Sequence, residues 1–586
     1  MEVINYLIIS IIIITIGLII GYFLKKTYTI EENEIIDKYT FDYLKEGIKD
    51  TLQNIVKLRP EELNLNKYEM EKRITNRKKL RKALRSCSCG DFGAKTYVKD
   101  YITNLLQQKF DINEITIDKV IDFNNTSKLS SYDKFSILLY QYKKAHGLKA
   151  MEKLLTENNL DQLKYDTAGN PYFDITKKDI NKLYLSKSNK LDFLDKIEIL
   201  SQYIYQSFLG HGVIDEIRDM KIDGVSVGVS GISEDFYNYG EDIFVNSKNE
   251  YLYSYDSVWI FFQGKSIRLS FLGFGSQREL ERVCKNIYRY NSPGQLSEEK
   301  GHIENDMKDG SRIVVVRPPF SDSWAFLVRK HDNIRNIEIE ELITDENKEV
   351  VIDAMSAIIK GCQITAITGG QGSGKTTLLK VLIKFINPTY NIRIQELIFE
   401  LSLRKLYPFR NILTFKELPN VSGQEGLDLQ KKTDGTVNIM GEVATFTVAS
   451  WIIQMSQVAS LFTMFTHHAK TTEDLVSWMR NALLKESGFS NERVAEEQVV
   501  RAINFDIHMN MSMEGHRYIE RITEIVPIKR NENNCDLYQA IDIIVYSEGK
   551  YELIHKISNR AKKDIFRYLT DIEKRKYAKL FEEEDV

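Results

Sequence analysis

Cysteine is scarce in this chain: 586 residues carry only Cys87, Cys89, Cys284, Cys362 and Cys535. A small, scattered, odd-numbered set excludes a disulfide framework and fits a reducing cytosol. Cys87 and Cys89 form a lone C-x-C with no second pair, so a structural zinc would lack half its ligands and free thiols are expected. Proline is also sparse, with nine residues, and no internal repeat or low-complexity tract is present, which argues against solenoids and Pro-rich linkers. Net charge is nearly absent: 80 basic residues against 83 acidic ones leave −3, so no global positive field draws nucleic acid. What remains is an ordinary hydrophobic content of 43% in a chain long enough for three or four domains. These features describe a multidomain folded protein.

The one long apolar run is at the start. From Ile4 to Leu24, INYLIISIIIITIGLIIGYFL carries no charge, a length that spans about 30 Å of hydrocarbon at helical rise. A cleaved signal peptide would have basic residues before the run and a small-residue cleavage site after it. Here Glu2 precedes, and Lys25 and Lys26 follow. Nothing amphipathic interrupts the run, as it would in a buried soluble helix. The expectation is a single-pass anchor over residues 1–30, in the cytoplasmic membrane, with the N-terminus outside and the rest in the cytoplasm.

Residues 31–190 read as a helical accessory region, with apolar residues at three- and four-residue spacing such as Ile48, Leu52, Ile55 and Val56. Within it, KRITNRKKLRKALR (72–85) places eight Lys or Arg in fourteen residues. Such a run suits an anionic leaflet or phosphates; without aromatics it also reads as a solvated helix face. From 191 to 335 short β-like runs (GVSVGVSG, SVWIFFQGKSIRLSFLGF, SRIVVVRPP, WAFLVRK) surround a helical RELERVCKNIYRY, as in a small mixed α/β domain. From 336 to 560 apolar strands alternate with helices, the pattern of a largely parallel sheet covered on both faces. The tail, DIFRYLTDIEKRKYAKLFEEEDV within 561–586, reads as a helix with a solvated acidic end.

The pattern G-x-x-x-x-G-K-[ST] is met by Gly369, Gly370, Gln371, Gly372, Ser373, Gly374, Lys375 and Thr376. CQITAIT before it is a buried-strand run. KTTLLKVLIKFI after it, Thr377 included, aligns Leu378, Leu379, Val381, Leu382 and Phe385 on one helix face before Asn387 and Pro388. Strand, glycine loop and helix in that order define a P-loop: main-chain N–H groups curl around a β-phosphate and the helix N-terminus adds favourable partial charge. Lys375 is placed to reach the β- and γ-phosphates of ATP and Thr376 to ligate Mg²⁺. Cleavage also needs an acid near Mg²⁺ and groups that orient water and sense the γ-phosphate. GTVNIMGEV delivers Glu442 at a strand end, YNIRIQELIFEL delivers Glu396 and Glu400, and SLFTMFTHHAKTT delivers Thr466, His467 and His468. Singly, an acid after a strand is a cap or surface charge, and a histidine pair a polar loop. In order behind a P-loop they form a coherent set.

GGQGSGKTTLL, an acidic box ending in Glu-Leu, a strand ending in Gly-Glu and then T-x-H-A together resemble the type II/type IV secretion ATPase superfamily, in particular the CpaF-like motors of tight-adherence (Flp) pili. Upstream, DGSRIVVVRPPFSDSWAFLVRK resembles the family's DGSR, PP and closing arginine pair, and GHGVIDEI with IDGVSVGVSG resembles the start of its preceding α/β domain. The resemblance covers about residues 200–530. It implies a RecA-like ATPase domain behind a smaller α/β domain. It also implies Glu442 near Mg²⁺, Glu400 orienting or deprotonating the lytic water, Glu396 as the box's earlier acid and His468 sensing the γ-phosphate. Arg312 and Arg329 match basic residues that reach phosphates within or across subunits; without the resemblance they are ordinary strand-surface charges. Three departures stand out: Ala444 replaces an Arg after GEV, Gln395 replaces an acid in the box, and the segment before GTVNIMGE is shortened.

The resemblance implies a homohexameric, Mg²⁺-dependent ATP hydrolase whose domain rings move against one another and act on a polytopic membrane platform, for pilus assembly or secretion. Two other readings stay open: the same motor with DNA as cargo, and a nucleotide-binding assembly scaffold that hydrolyses weakly.

Overall fold

A computed structural model describes residues 38–582 except 58–66, 235–251, 292, 331–336, 397–398, 418–420, 431, 459, 487, 513–514 and 529–535. The apolar run Ile4 to Leu24 and its expected membrane crossing lie outside the described residues. Among the described residues no helix is long and apolar enough to cross a membrane. The chain divides into two compact units, Met1–Asp332 and Asn333–Val586. Both are α/β with mixed sheets.

In the first unit the helices begin where the sequence supplies reciprocal caps. Ser130 with Asp133, Thr176 with Asp179, and Asp192 with Asp195 form capping boxes that start the helices Ser131–His146, Lys177–Lys187 and Phe193–Phe208. The sheet has seven strands: β1 (Asp174–Ile175), β2 (Gly224–Val227), β3 (Val258–Phe262), β4 (Lys265–Leu269), β5 (His302–Asp306), β6 (Arg312–Val316) and β7 (Ala325–Arg329). Their order is β1-β4-β3-β2-β7-β6-β5, antiparallel throughout except for the β1/β4 edge pair. The helical segment therefore contributes an edge strand to the sheet of the mixed segment. Leu44, Ile102 and Leu138 from the helices share one core with Val225, Ile260 and Ile313 from the sheet. The described cysteines, Cys87, Cys89, Cys284 and Cys362, are buried free thiols, with burial pushing Cys87 up to about 11.

The second unit has nine strands: β8 (Thr365–Gly369), β9 (Ile392–Glu396), β10 (Ile412–Lys416), β11 (Val437–Met440), β12 (Phe462–Thr466), β13 (Phe505–Met511), β14 (Arg517–Pro527), β15 (Tyr538–Ser547) and β16 (Lys550–Leu553). Their order is β10-β9-β11-β12-β8-β13-β14-β15-β16. The first six are parallel, as the apolar runs suggested, and the last three extend the sheet antiparallel. The final turn explains part of that difference: Glu548 and Gly549 both have positive φ, the two-residue geometry that closes a hairpin. Side chains alternate across the parallel part. Ile367, Ile439 and Met464 face one core with the helices Lys348–Lys360 and Lys375–Leu382, while Ala366, Met440 and Phe465 face another with Thr472–Glu486 and Glu492–Ala502. The C-terminal segment, expected as one helix, is two: Asn559–Phe566 and Asp571–Tyr577. The second is started by a capping box of Thr570 with Glu573, which takes the main chain out of helix at that point.

Candidate functional site

β8 runs through the middle of the second unit's sheet and ends at Gly369. A Cβ there would lie 2.1 Å from the Met509 carbonyl oxygen, and its φ is +137°, so a side chain has neither room nor an allowed backbone. Gly370, Gln371 and Gly372 are exposed, Ser373 Oγ donates to the Gly370 carbonyl at 2.9 Å, and Gly374, in the left-handed region, starts the helix Lys375–Leu382. Strand, exposed glycine loop and helix therefore stand in the order read from sequence. Thr376 and Thr377 sit half-buried on the first helical turn. Lys375 folds back over the loop, Nζ donating to the carbonyls of Gly369 (2.9 Å) and Gly370 (2.7 Å).

Lys375 Nζ also lies 3.3 Å from His468 Nδ1, and His468 Nε2 lies 3.0 Å from Glu442 Oε1. One tautomer satisfies both contacts: Nδ1 accepts from the ammonium while Nε2–H donates to the carboxylate. The first residue of the helix after the glycine loop and residues just beyond two strand ends thus form one continuous polar chain, from Lys375 through His468 to Glu442. The adjacent strands fix its members. Val443 N–H donates to the Thr466 carbonyl at 2.9 Å, Thr466 Oγ1 donates to the Gly441 carbonyl at 2.6 Å, and His467 N–H donates to the Ile367 carbonyl at 3.0 Å. The His467 ring is tied down separately, with Nδ1 2.8 Å from the Val443 carbonyl oxygen and the ring against Trp478 at 4.4 Å. Burial lowers its pKa.

Glu396 ends β9 and is buried; its carboxylate accepts the N–H groups of Glu400 (2.9 Å) and Leu401 (2.7 Å). Burial pushes it up to about 7 against those two hydrogen bonds. It also packs on the peptide before Glu442: a Cβ on Gly441 would come within 3.0 Å of Glu396 Cγ. Glu400 is half-exposed, and with Glu396 it raises the pKa of Lys380, which burial depresses overall. Gln395 points to the other side of the strand, where Gln430 Nε2 donates to its Oε1 at 3.0 Å. Ala444 is exposed.

The donor set fits a magnesium nucleotide. Among the described residues no group of three His, Cys, Asp or Glu could hold a metal alone. Mg²⁺ in nucleotide sites instead takes a hydroxyl or carboxylate or two from the protein and the rest from phosphates and water, which Thr376 and Glu442 could supply. Arg312 and Arg329 belong to the first unit, directly opposite each other on β6 and β7; Arg312 pairs with Glu304, and Arg329 is exposed.

Several residues around the loop carried no sequence signal. Thr368, the residue before Gly369, donates through Oγ1 to Asp506 Oδ1 at 2.6 Å and lies 2.8 Å from His508 Nδ1. Thr472 Oγ1 donates to Asp506 Oδ2 at 2.9 Å. Arg517 Nε donates to the Gly372 carbonyl at 2.8 Å, laying its side chain along the loop.

The chain matches no protein-family model and no curated protein. Among solved structures it is similar to the VirB11 ATPase of the Brucella suis type IV secretion system, at 16% identity over 52% of this chain and 89% of that one, with a TM-score of 0.27. It is also similar to the Legionella pneumophila ATPase DotB (14%, 62% and 85%, TM-score 0.34) and to the pilus retraction motor PilT with bound ADP (12%, 62% and 88%, TM-score 0.35).

Proposed function

We propose that the chain is a membrane-tethered, Mg²⁺-dependent ATPase with a RecA-like catalytic domain, working as a homohexamer to power pilus assembly or protein secretion through a membrane platform. The observation that carries this reading is the chain Lys375–His468–Glu442, which joins the glycine loop to the ends of two neighbouring strands. Lys375 would exchange the Gly369 and Gly370 carbonyls for β- and γ-phosphate oxygens. Thr376 and Glu442 would hold Mg²⁺, which when bound neutralises charge between those phosphates. His468 would donate its Nε2–H to a γ-phosphate oxygen once Glu442 turns from it to Mg²⁺, and Glu400 would orient the attacking water. Arg312 and Arg329 would supply positive charge to phosphates, the role that the resemblance implies for them. The apolar run Ile4 to Leu24 supports the tether, which would concentrate the motor at the bilayer. The test is Mg·ATP turnover by the full chain beside Lys375→Ala and Glu442→Gln. Parent turnover no faster than the variants would instead favour the weakly hydrolysing scaffold, a reading supported by Gln395, which is buried against Gln430 where the resemblance places an acid.

The DNA-cargo reading has one observation behind it. Among its described side chains the helix Lys67–Ser86 buries only Leu80 and Ala83, and it exposes Lys72, Arg73, Lys78, Lys79, Arg81, Lys82 and Arg85. Duplex affinity that falls steeply with salt and is lost in a Lys78→Glu, Arg81→Glu, Lys82→Glu variant would favour DNA over protein cargo.

A further inference from the structure

Asp506 on β13 is a carboxylate with no solvent exposure. Its two oxygens are divided between the two halves of the nucleotide site. Oδ1 accepts from Thr368, the last residue before the glycine loop, and Oδ2 accepts from Thr472, the first residue of the helix Thr472–Glu486 that follows His468. Arg521 on β14 reinforces the second half. Its Nη2 donates to the Lys470 carbonyl at 3.3 Å and lies 3.9 Å from Asp506 Oδ2. The first half is reinforced by His508, whose Nδ1 faces Thr368 Oγ1 at 2.8 Å; with Nδ1 protonated, a single run of donors leads from His508 through Thr368 to Asp506.

Thr368 and Asp506 are 138 residues apart and lie on adjacent parallel strands, and Thr472 is only four residues beyond His468. A buried carboxylate stabilises a fold no better than apolar packing of the same volume would; what it adds here is a fixed geometry between the segments it bridges. Both segments carry groups of the proposed reaction, Gly369–Lys375 on one side and His468 on the other.

We propose that Asp506, with Thr472 and Arg521, is a positioning element that fixes His468 against Lys375 and so gives the site its preference for a triphosphate over a diphosphate. This rests on the γ-phosphate role of His468 under the reading above. None of the three needs to touch nucleotide. They hold the turn Ala469–Thr471 at a set distance from the loop, so that His468 meets the third phosphate when Lys375 moves to it.

The test uses the full chain in detergent and measures affinity for ADP and for a non-hydrolysable ATP analogue by competition against a fluorescent ADP. His468→Ala first tests the underlying reading: it should lower the triphosphate preference about tenfold, and an unchanged preference would remove the sensor role and this inference with it. Given that loss, Thr472→Val should lower the same preference about fivefold with ADP affinity retained, and Thr472→Ser, which keeps the hydroxyl, should restore it. The double variant Thr472→Val, His468→Ala should show no loss beyond that of His468→Ala, because both act through one contact. Arg521→Lys, which loses the planar reach to Lys470, provides the same readout where Thr472→Val folds poorly. Equal weakening of both nucleotides, an unchanged preference, or losses that add in the double variant would each overturn the proposal and leave the network a purely structural one.

Discussion

In the first unit, Lys95 sits between Asp215 and Asp219, Arg218 pairs with Asp219 at 2.8 Å and Asp309 at 3.0 Å, and Gln202 donates to Asp215 at 2.8 Å. In the second unit, Lys375 rests on two loop carbonyls and one imidazole, and the far end of its chain is open, with the His468 and Glu442 side chains 43% and 40% exposed. Both arrangements surround a buried lysine with hydrogen-bond acceptors. The first does so with fixed carboxylates that hold a helix, a short helix and a hairpin turn together. The second includes the Gly369 and Gly370 carbonyls, which a phosphate can replace at the ammonium without leaving a bare charge. Loop carbonyls can give way to an anion, whereas two fixed carboxylates cannot.

That contrast can be broken experimentally, and the largest expected effect is in the first unit. Asp215→Ala leaves buried Lys95 with Asp219 as its remaining carboxylate and takes an acceptor from Gln202, and it should reduce the stability of that unit by about 3 to 5 kcal/mol in chemical denaturation. A loss below about 1 kcal/mol would show that the cluster is not the fixed anchor inferred here.

Next comes Glu396. Its folded pKa of about 7 stands above the ordinary 4.5, so the fold favours the protonated form. Its contribution is fully present below about 4.5 and is lost as pH rises through about 7. Parent stability should therefore fall across that window by up to about 3 kcal/mol from this group. Glu396→Gln, which keeps an oxygen for the N–H groups of Glu400 and Leu401, should flatten that part of the pH profile. A variant that tracks the parent at every pH would locate the dependence elsewhere.

The smallest effect is expected at Glu442. As a half-exposed partner of His468 it should contribute little to folding, so Glu442→Gln should unfold within about 0.5 kcal/mol of the parent. A large destabilisation would make the Lys375–His468–Glu442 chain a structural device of the first unit's kind.

Much of this site was legible in sequence because its parts sit where local pattern meets local chemistry. The glycine spacing from Gly369 to Gly374, the strand before it and the apolar helix face after it are consecutive residues, and their geometry follows from consecutive φ, ψ choices. Glu396, Glu442 and His468 can be singled out in sequence because each comes at or just after the end of a strand, and the parallel sheet gathers those ends on one edge. The Thr368–Asp506–Thr472 bridge was not legible, since its members meet only through the pairing of β8 with β13 and have no spacing of their own. The antiparallel extension after β13 has a related cause: apolar strands read alike in either direction, and the reversals are marked by short turns, Gly515 between β13 and β14 and Glu548–Gly549 between β15 and β16. The break at Thr570 was visible in principle as T-x-x-E, which lay hidden inside a run of helical periodicity.

If the loop at Gly369–Thr376 and the acid at Glu442 serve one reaction, both are needed for turnover. Steady-state Mg·ATP hydrolysis by the full chain should show measurable turnover in the parent, a fall of about a hundredfold or more in both Lys375→Ala and Glu442→Gln, and retained nucleotide affinity in Glu442→Gln alone. Parent-like turnover in Glu442→Gln would contradict it.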